Sequence, residues 1–301
     1  MDAGFFISNK FQLRTMWPAR TLDSNFAIVN IMDKAHTSKI LSLMHSPEDW
    51  QTVGNKPRPY CFEIDNRDQS LYYFGANHSR DIEDEQYPKL EQYWKQFLGK
   101  TGGKDCVVFV EGGIRKMWTD KEVAVQNDSE AGFITILAHE FGTSVECPEP
   151  NSEVEREYLL EKYNKDQIQY YYFARLIPVW HKGREPREVF EEFIKRYQRV
   201  NTSSDASWSD YDFSLQNMKE VHRSLFDTSF DEKDVDFFKS IVNPMTEKSI
   251  INKVARECTM FRNVHIVTKI EEYWKEGKSI FVVFGHSHAV MQEPALRQLL
   301  L

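Results

Sequence analysis

"LYYFGANHSRDIEDEQYPKLEQYWKQFLGKTGGKDCVVFVEGG", residues 71–113, is the stretch whose reading decides the fold. Its first nine residues are an aromatic and apolar run broken at Gly75. Residues 83–103 place Leu90, Tyr93, Trp94 and Phe97–Leu98 at helical spacing and stop at Gly102-Gly103, and 105–113 is a β-rich run that also ends in glycine. Two apolar strands joined by an amphipathic helix predict a right-handed βαβ unit within a parallel sheet. The expected class is α/β, a parallel or mixed central sheet flanked by helices.

Outward from that unit, 129–142 reads as a helix with a glycine stop and 143–150 as a short strand ending in prolines. From 152 to 246 the character changes to three helical stretches separated by "HKGRE" and "NTSSDASWSD", with no strand among them. This predicts a helical insertion, a lid or second layer, in a core domain made of 1–151 and 247–301. Residues 249–278 predict a long helix that delivers the chain to a last strand at 279–284, with Gln292-Glu293-Pro294 opening a short closing helix. Before residue 60 mixed helix is expected, and "PYCFEID" (59–65) reads as an edge strand.

Composition narrows the function classes. Hydrophobic residues at 41% and charged residues at 28% describe an ordinary globular chain. A net charge of −8 with no long Lys/Arg block argues against nucleic acid and anionic membrane as partners. No run approaches the roughly 20 apolar residues of a membrane span, and the start lacks the basic-then-apolar pattern of a signal peptide. Four scattered cysteines without a CxxC pair predict buried, reduced thiols and a cytoplasmic protein.

In open parallel sheets, ligands sit beyond the carboxyl ends of the strands. The three clearest strands end there in Gly75-Ala76-Asn77-His78, Glu111-Gly112-Gly113 and Gly285-His286-Ser287-His288, and the run at 143–150 adds Glu146 and Glu149. "FGHSHA" (284–289) resembles a nucleophile elbow, but only fourteen residues follow Ser287, with no aspartate to complete the usual triad order. The alternative pairs Gly75-x-x-His78 with Gly285-x-x-His288, each glycine letting the chain leave its strand sharply. On that reading Ser287 is a hydroxyl beside His288. His286 is then a neighbour of the site, His139-Glu140 a solvated helix end, and "QYYYFARLIPVW" (169–180) core. Glu257 with Arg262 reads equally as an exposed charged face or as part of the site.

The matched histidines with the intervening glutamate resemble the superfamily of erythromycin esterases, ChaN-like haem-uptake proteins, TraB and Tiki proteins. The similar stretches are "YYFGANHSRD", "VVFVEGGIR", "SEAGFITILAHEFG" followed by "PEP", "MFRNVHIVTKI" and "GKSIFVVFGHSHAVMQEPAL", about half the chain. "FGANHS" carries no acidic residue and so is closer to the Tiki and TraB form than to the macrolide esterases. The resemblance implies a hydrolase of esters or amides on a small-molecule or peptide substrate. By position it implies His78, Glu111 and His288 as the centre, with Glu130, Glu149 and Arg262 in support. In one assignment, neutral His78 takes a proton from water, Glu111 orients its imidazole, and His288 or Arg262 stabilises developing negative charge. In the other, His78, His288 and one or two of Glu111, Glu130 and Glu149 hold a divalent cation such as Zn, Mn or Co. The same resemblance leaves open a haem or small-ligand binding protein, or a non-catalytic interaction protein.

Overall fold

The computed structural model describes residues 34–182, 188–201 and 208–301. The mixed helix expected before residue 60 is described only from Lys34 onward, and most of the two expected linkers also lies outside the described residues.

Five strands form one mixed sheet: β1 (Tyr60–Asp65), β2 (Ser70–Ala76), β3 (Cys106–Val110), β4 (Ser144–Glu146) and β5 (Ser279–Gly285). Their order is β1-β2-β5-β3-β4, with β1 antiparallel on the edge and the other four parallel. The last strand in sequence therefore lies between the two strands of the 71–113 unit. Phe74 and Val110 both pair with Val283, and Ala76 pairs with Gly285, so three strand ends stand side by side. Every residue of β2 and β5 is buried, as strands covered on both faces must be.

One face of the sheet, with Tyr72, Phe74, Val110 and Phe281, packs under α3 (Gln86–Thr101) and α4 (Lys121–Glu140). The other, with Tyr73, Phe109, Val282 and Phe284, packs under α1 (Lys34–Leu43), the second half of α10 (Ile250–Lys275) and α11 (His286–Leu300). A 3-10 turn and the short α2 (Trp50–Val53) connect α1 to β1. A third apolar cluster gathers α5 (Ser152–Leu160), α6 (Lys165–His181), α7 (Phe190–Asn201), α8 (Leu215–Phe226) and α9 (Val235–Ile241) around Ile251, Val254 and Cys258. The first half of α10 thus serves the helical cluster and the second half the sheet.

Several elements differ from the sequence reading for local reasons. The first of the three helical stretches is two helices, because Asn164 accepts from the Gln167 N–H at 2.9 Å and caps a new start. Helix α4 begins eight residues early, where Asp120 accepts from the Val123 N–H at 2.9 Å, and it kinks at Ser129 (φ 51°, ψ −142°). Helix α11 starts directly after Gly285, so Gln292-Glu293-Pro294 lies within it instead of opening a separate helix. All four cysteines are free, but only Cys258 is buried; Cys61 is exposed and Cys106 and Cys147 are partly so. Among the described residues no helix is long and apolar enough to cross a membrane.

Candidate active site

The rim at the ends of β2, β5 and β3 is built around one carboxylate. Glu111 follows β3 and turns toward β5, where its Oε2 accepts the Gly285 N–H at 2.6 Å. That N–H opens α11, so the carboxylate also meets the positive end of a helix. His78 Nε2 lies 3.7 Å from Oε2, and His288 Nε2 lies 3.7 Å from Oε1. Arg262 Nη2 stands 3.9 Å from Oε1. Burial alone would raise the Glu111 pKa, but His288, His78, Arg262 and the Gly285 N–H together bring it down to about 2.

His78 is held from behind by Glu130. Its Nδ1 meets Glu130 Oε1 at 2.5 Å, so Glu130, and not Glu111, orients the imidazole. Both residues come off left-handed backbone: His78 has φ 49°, and Ser129 immediately before Glu130 has φ 51°. Such conformations cost on the order of 1–3 kcal/mol and persist where surrounding contacts demand them. Here the kink turns Glu130 inward, where its Oε2 is buried without a hydrogen-bond partner among the described residues. The Glu130 hydrogen bond, opposed by burial and aided by Glu111, raises the His78 pKa to about 9. Near neutral pH His78 is a cation. Gly285 makes room for it: a Cβ there would stand 2.5 Å from His78 Nε2.

His288 is the opposite case. Its Nδ1 lies 2.6 Å from Asn263 Oδ1, which also accepts from Gln292 Nε2 at 2.8 Å, while Gln292 Oε1 accepts from Tyr73 Oη at 2.9 Å. An acceptor on that side fixes the proton on Nδ1 and leaves Nε2 a bare lone pair. Burial lowers the His288 pKa more than Glu111 raises it, so this imidazole is neutral. Two acceptors, His288 Nε2 and Glu111 Oε1, therefore face each other across 3.7 Å, too far for a direct hydrogen bond.

Arg262 sits in a carboxylate cage and is not part of an exposed charged face. Glu149 Oε1 pairs with its Nη2, and Glu155 Oε2 lies 4.0 Å from its Nε. Glu149 Oε2 accepts the Gly112 N–H at 2.7 Å, which ties the β4 end to the loop after Glu111. Tyr172 of α6 donates to Glu155 Oε1, bringing the helical cluster to the rim. Glu257 pairs elsewhere, with Lys162 and Tyr158.

The other sequence candidates separate cleanly. Ser287 is half-buried in the first turn of α11, and its hydroxyl makes no hydrogen bond with another described residue. His286 points to the far side of β2, toward the Lys56 carbonyl at 3.2 Å and the Trp50 ring. Tyr170, Tyr171 and Phe173 fill the core of the helical cluster. Sequence reasoning overlooked Asn263, Gln292, Tyr73 and Glu155. The four-residue spacing of His288 and Gln292, which places both on one face of a helix, was a usable signal.

Family models, curated proteins and solved structures yield no match to this chain.

A divalent cation fits these side chains poorly. Among the described residues no group of three or more His, Cys, Asp or Glu converges as metal ligands would. A cation shared by His78 and Glu111 would have to compete with the His78 proton and with Arg262, already 3.9 Å from the same carboxylate. The rim instead presents one cationic imidazole, one neutral imidazole and a carboxylate between them, which is an acid and a base about a common polar gap.

Proposed function

We propose that the chain is a hydrolase of the erythromycin-esterase/ChaN/Tiki-like kind, in which a water molecule attacks an ester or amide carbonyl. The observation that carries this reading is the pair of acceptors, His288 Nε2 and Glu111 Oε1, 3.7 Å apart. A water that donates one hydrogen to each presents its own lone pair outward to a substrate carbonyl. The reading reverses the roles that the resemblance implied for the two histidines. Neutral His288 is the base, and His78, cationic and with 56% of its side chain exposed, is the acid.

The steps balance without a further reactant. As the water oxygen bonds to the carbonyl carbon, its proton passes to His288 Nε2. The tetrahedral oxyanion is stabilised by the His78 imidazolium. When the carbon–oxygen or carbon–nitrogen bond breaks, His78 Nε2 gives its proton to the leaving group. Proton exchange with solvent returns His288 to neutral and His78 to its charged form. Glu111 accepts from the water and stays ionised, consistent with its lowered pKa.

An ester and peptide substrate panel on wild type, His78→Ala and His288→Ala tests the reading. The expected kcat/KM profile is a bell, rising as His288 loses its proton and falling near pH 9 as His78 loses its own. Either variant should lose about 10²–10⁴-fold in kcat. Activity equal to wild type in His78→Ala removes His78 from the chemistry and overturns the mechanism.

A further inference from the structure

On the face of the sheet that α3 and α4 cover, a groove of about 330 Å³ opens between α3 and the residues leading into β1. Phe74 and Tyr93 form its floor, Arg58 and Pro59 one wall, and Lys89 and Gln92 the other. Ladder register and hydrogen bonds put this groove beside His78. Tyr60 pairs with Gly75 in the antiparallel ladder, so the residues just before β1 run alongside those just after β2. Arg58 Nη1 accordingly donates to Asn77 Oδ1 at 3.4 Å, and Asn77 immediately precedes His78. From the other wall, Gln86 of α3 accepts the Asn77 N–H at 2.9 Å, and Lys89 lies one turn further along that helix. The turn that carries His78 thus stands at one end of the groove, and Glu130 of α4 holds the His78 ring from the same face of the sheet.

The charge of the groove is unlike that of the chain. The whole sequence carries −8, yet two cations and no acid line this groove. Arg58 is exposed and forms no ion pair with a described residue, and its hydrogen bond to Asn77 goes to a neutral amide. Lys89 is paired with Glu85 across one exposed helical turn, at 3.2 Å, a contact that competes weakly with an incoming anion. Cations on facing walls above an aromatic floor suit an oxyanion carried on an apolar chain. Resting on the hydrolase reading, we infer that this groove binds the acidic end of the substrate. A carboxylate or phosphate meets Arg58 and Lys89, the apolar chain covers Phe74 and Tyr93, and the ester or amide reaches the rim at His78.

Calorimetric titration of hexanoate and, separately, hexyl phosphate tests this without turnover, on wild type, Arg58→Gln, Lys89→Gln, Gln92→Trp and His78→Ala. All three groove positions are exposed, so these variants should fold. Either charge substitution should weaken binding by about ten- to a hundredfold, as expected for loss of a charge-assisted hydrogen bond, and Arg58→Lys should restore part of it. Gln92→Trp, which fills the groove without changing its charge, should weaken binding as well. Binding that survives His78→Ala and fails in the groove variants supports the site, and the better of the two probes says which oxyanion it takes. No binding of either probe to wild type, equal binding in wild type and the groove variants, or binding lost only in His78→Ala overturns it. Two nitrophenyl esters of similar acyl size, one ending in a methyl group and one in a carboxylate, then link the groove to the reaction. Wild type should prefer the carboxylate ester in kcat/KM, and Arg58→Gln should cut that preference mainly through KM. If neither ester is turned over but the binding pattern holds, the hydrolase reading falls and the groove stands. If both are turned over with the same preference in wild type and Arg58→Gln, the groove falls and the hydrolase reading stands.

Discussion

The two Gly-x-x-His turns have the same spacing, end neighbouring strands and face the same carboxylate, yet their histidines carry different charges. His78 leaves β2 on the outer side of the rim, stays half-exposed and donates to the carboxylate of Glu130. His288 leaves β5 at the centre of the sheet, keeps only 10% of its side chain exposed and donates to the amide of Asn263. The partner behind the ring decides the charge: a carboxylate stabilises the imidazolium, whereas a neutral acceptor in a buried place leaves the imidazole neutral. One motif thereby supplies both an acid and a base.

The change that would erase this difference most completely is Asn263→Asp. His288 would then donate to a carboxylate, as His78 does, and is expected to become a second cation. With no base left, kcat should fall by about 10²–10⁴-fold at neutral pH. Titration of the imidazole resonances by NMR checks it directly: a His288 that still titrates below the ordinary histidine value would show that burial, and not its partner, sets its charge. A lowered melting temperature is also expected, since Asn263 is fully buried within the Tyr73–Gln292 chain.

Glu130→Gln acts on the other member and should do less, about 10²-fold or below in kcat at neutral pH. The His78 pKa should fall from about 9 toward its ordinary value of 6.5, moving the alkaline limb of the rate profile with it. The stability consequence has a definite sign. A histidine whose pKa is raised on folding stabilises the native state fully below its unfolded value, and that stability is lost as pH rises through the folded one. Wild type should therefore lose stability between about pH 6.5 and 9, and Glu130→Gln should flatten that slope in urea titrations at stepped pH.

The two motif glycines sharpen the comparison further. A Cβ at Gly75 would meet Ala289 Cβ at 2.7 Å and the Tyr60 carbonyl at 2.8 Å, both fixed by backbone. Gly75→Ala should accordingly cost about 1–3 kcal/mol of stability. A Cβ at Gly285 meets the tip of the His78 ring, which can swing outward. Gly285→Ala should leave the urea midpoint nearer to wild type and lower activity instead. Equal stability losses in both would mean that His78 is as rigid as the sheet.

The sequence made the strand ends readable and left their partners hidden. Strands β2, β3 and β5 announce themselves as β-branched and aromatic runs stopped by glycine, and their rim residues His78, Glu111 and His288 follow from position alone. That they meet depends on β5 entering between β2 and β3, which no local pattern encodes. Glu130 reaches His78 only because Ser129 breaks α4, inside a stretch whose residue preferences are helical. Asn263 and Arg262 are consecutive on α10, so one faces His288 and the other Glu149, and only the packing of α10 decides which. Asn164 likewise divides what reads as one long helix, because a cap is a side-chain hydrogen bond and not a periodicity.

The smallest effect is expected at the residue that first draws the eye, and it bounds the comparison from below. Ser287 lies between the two histidines of the β5 turn, half-buried, with no hydrogen bond to His78, Glu111 or His288 among the described residues. A nucleophilic serine must reach its base at hydrogen-bonding distance, and the imidazole nitrogens point elsewhere: His78 Nδ1 to Glu130, His288 Nδ1 to Asn263, and both Nε2 atoms toward Glu111. Ser287→Ala removes one hydroxyl from the first turn of α11, with no described partner left unsatisfied. It should change kcat and the melting temperature only marginally, and a good ester substrate should show no pre-steady-state burst in either protein. A burst in wild type that vanishes in Ser287→Ala would mean that acyl transfer to the hydroxyl precedes hydrolysis. The pairing of an acidic His78 with a basic His288 would then describe only the second half of the reaction.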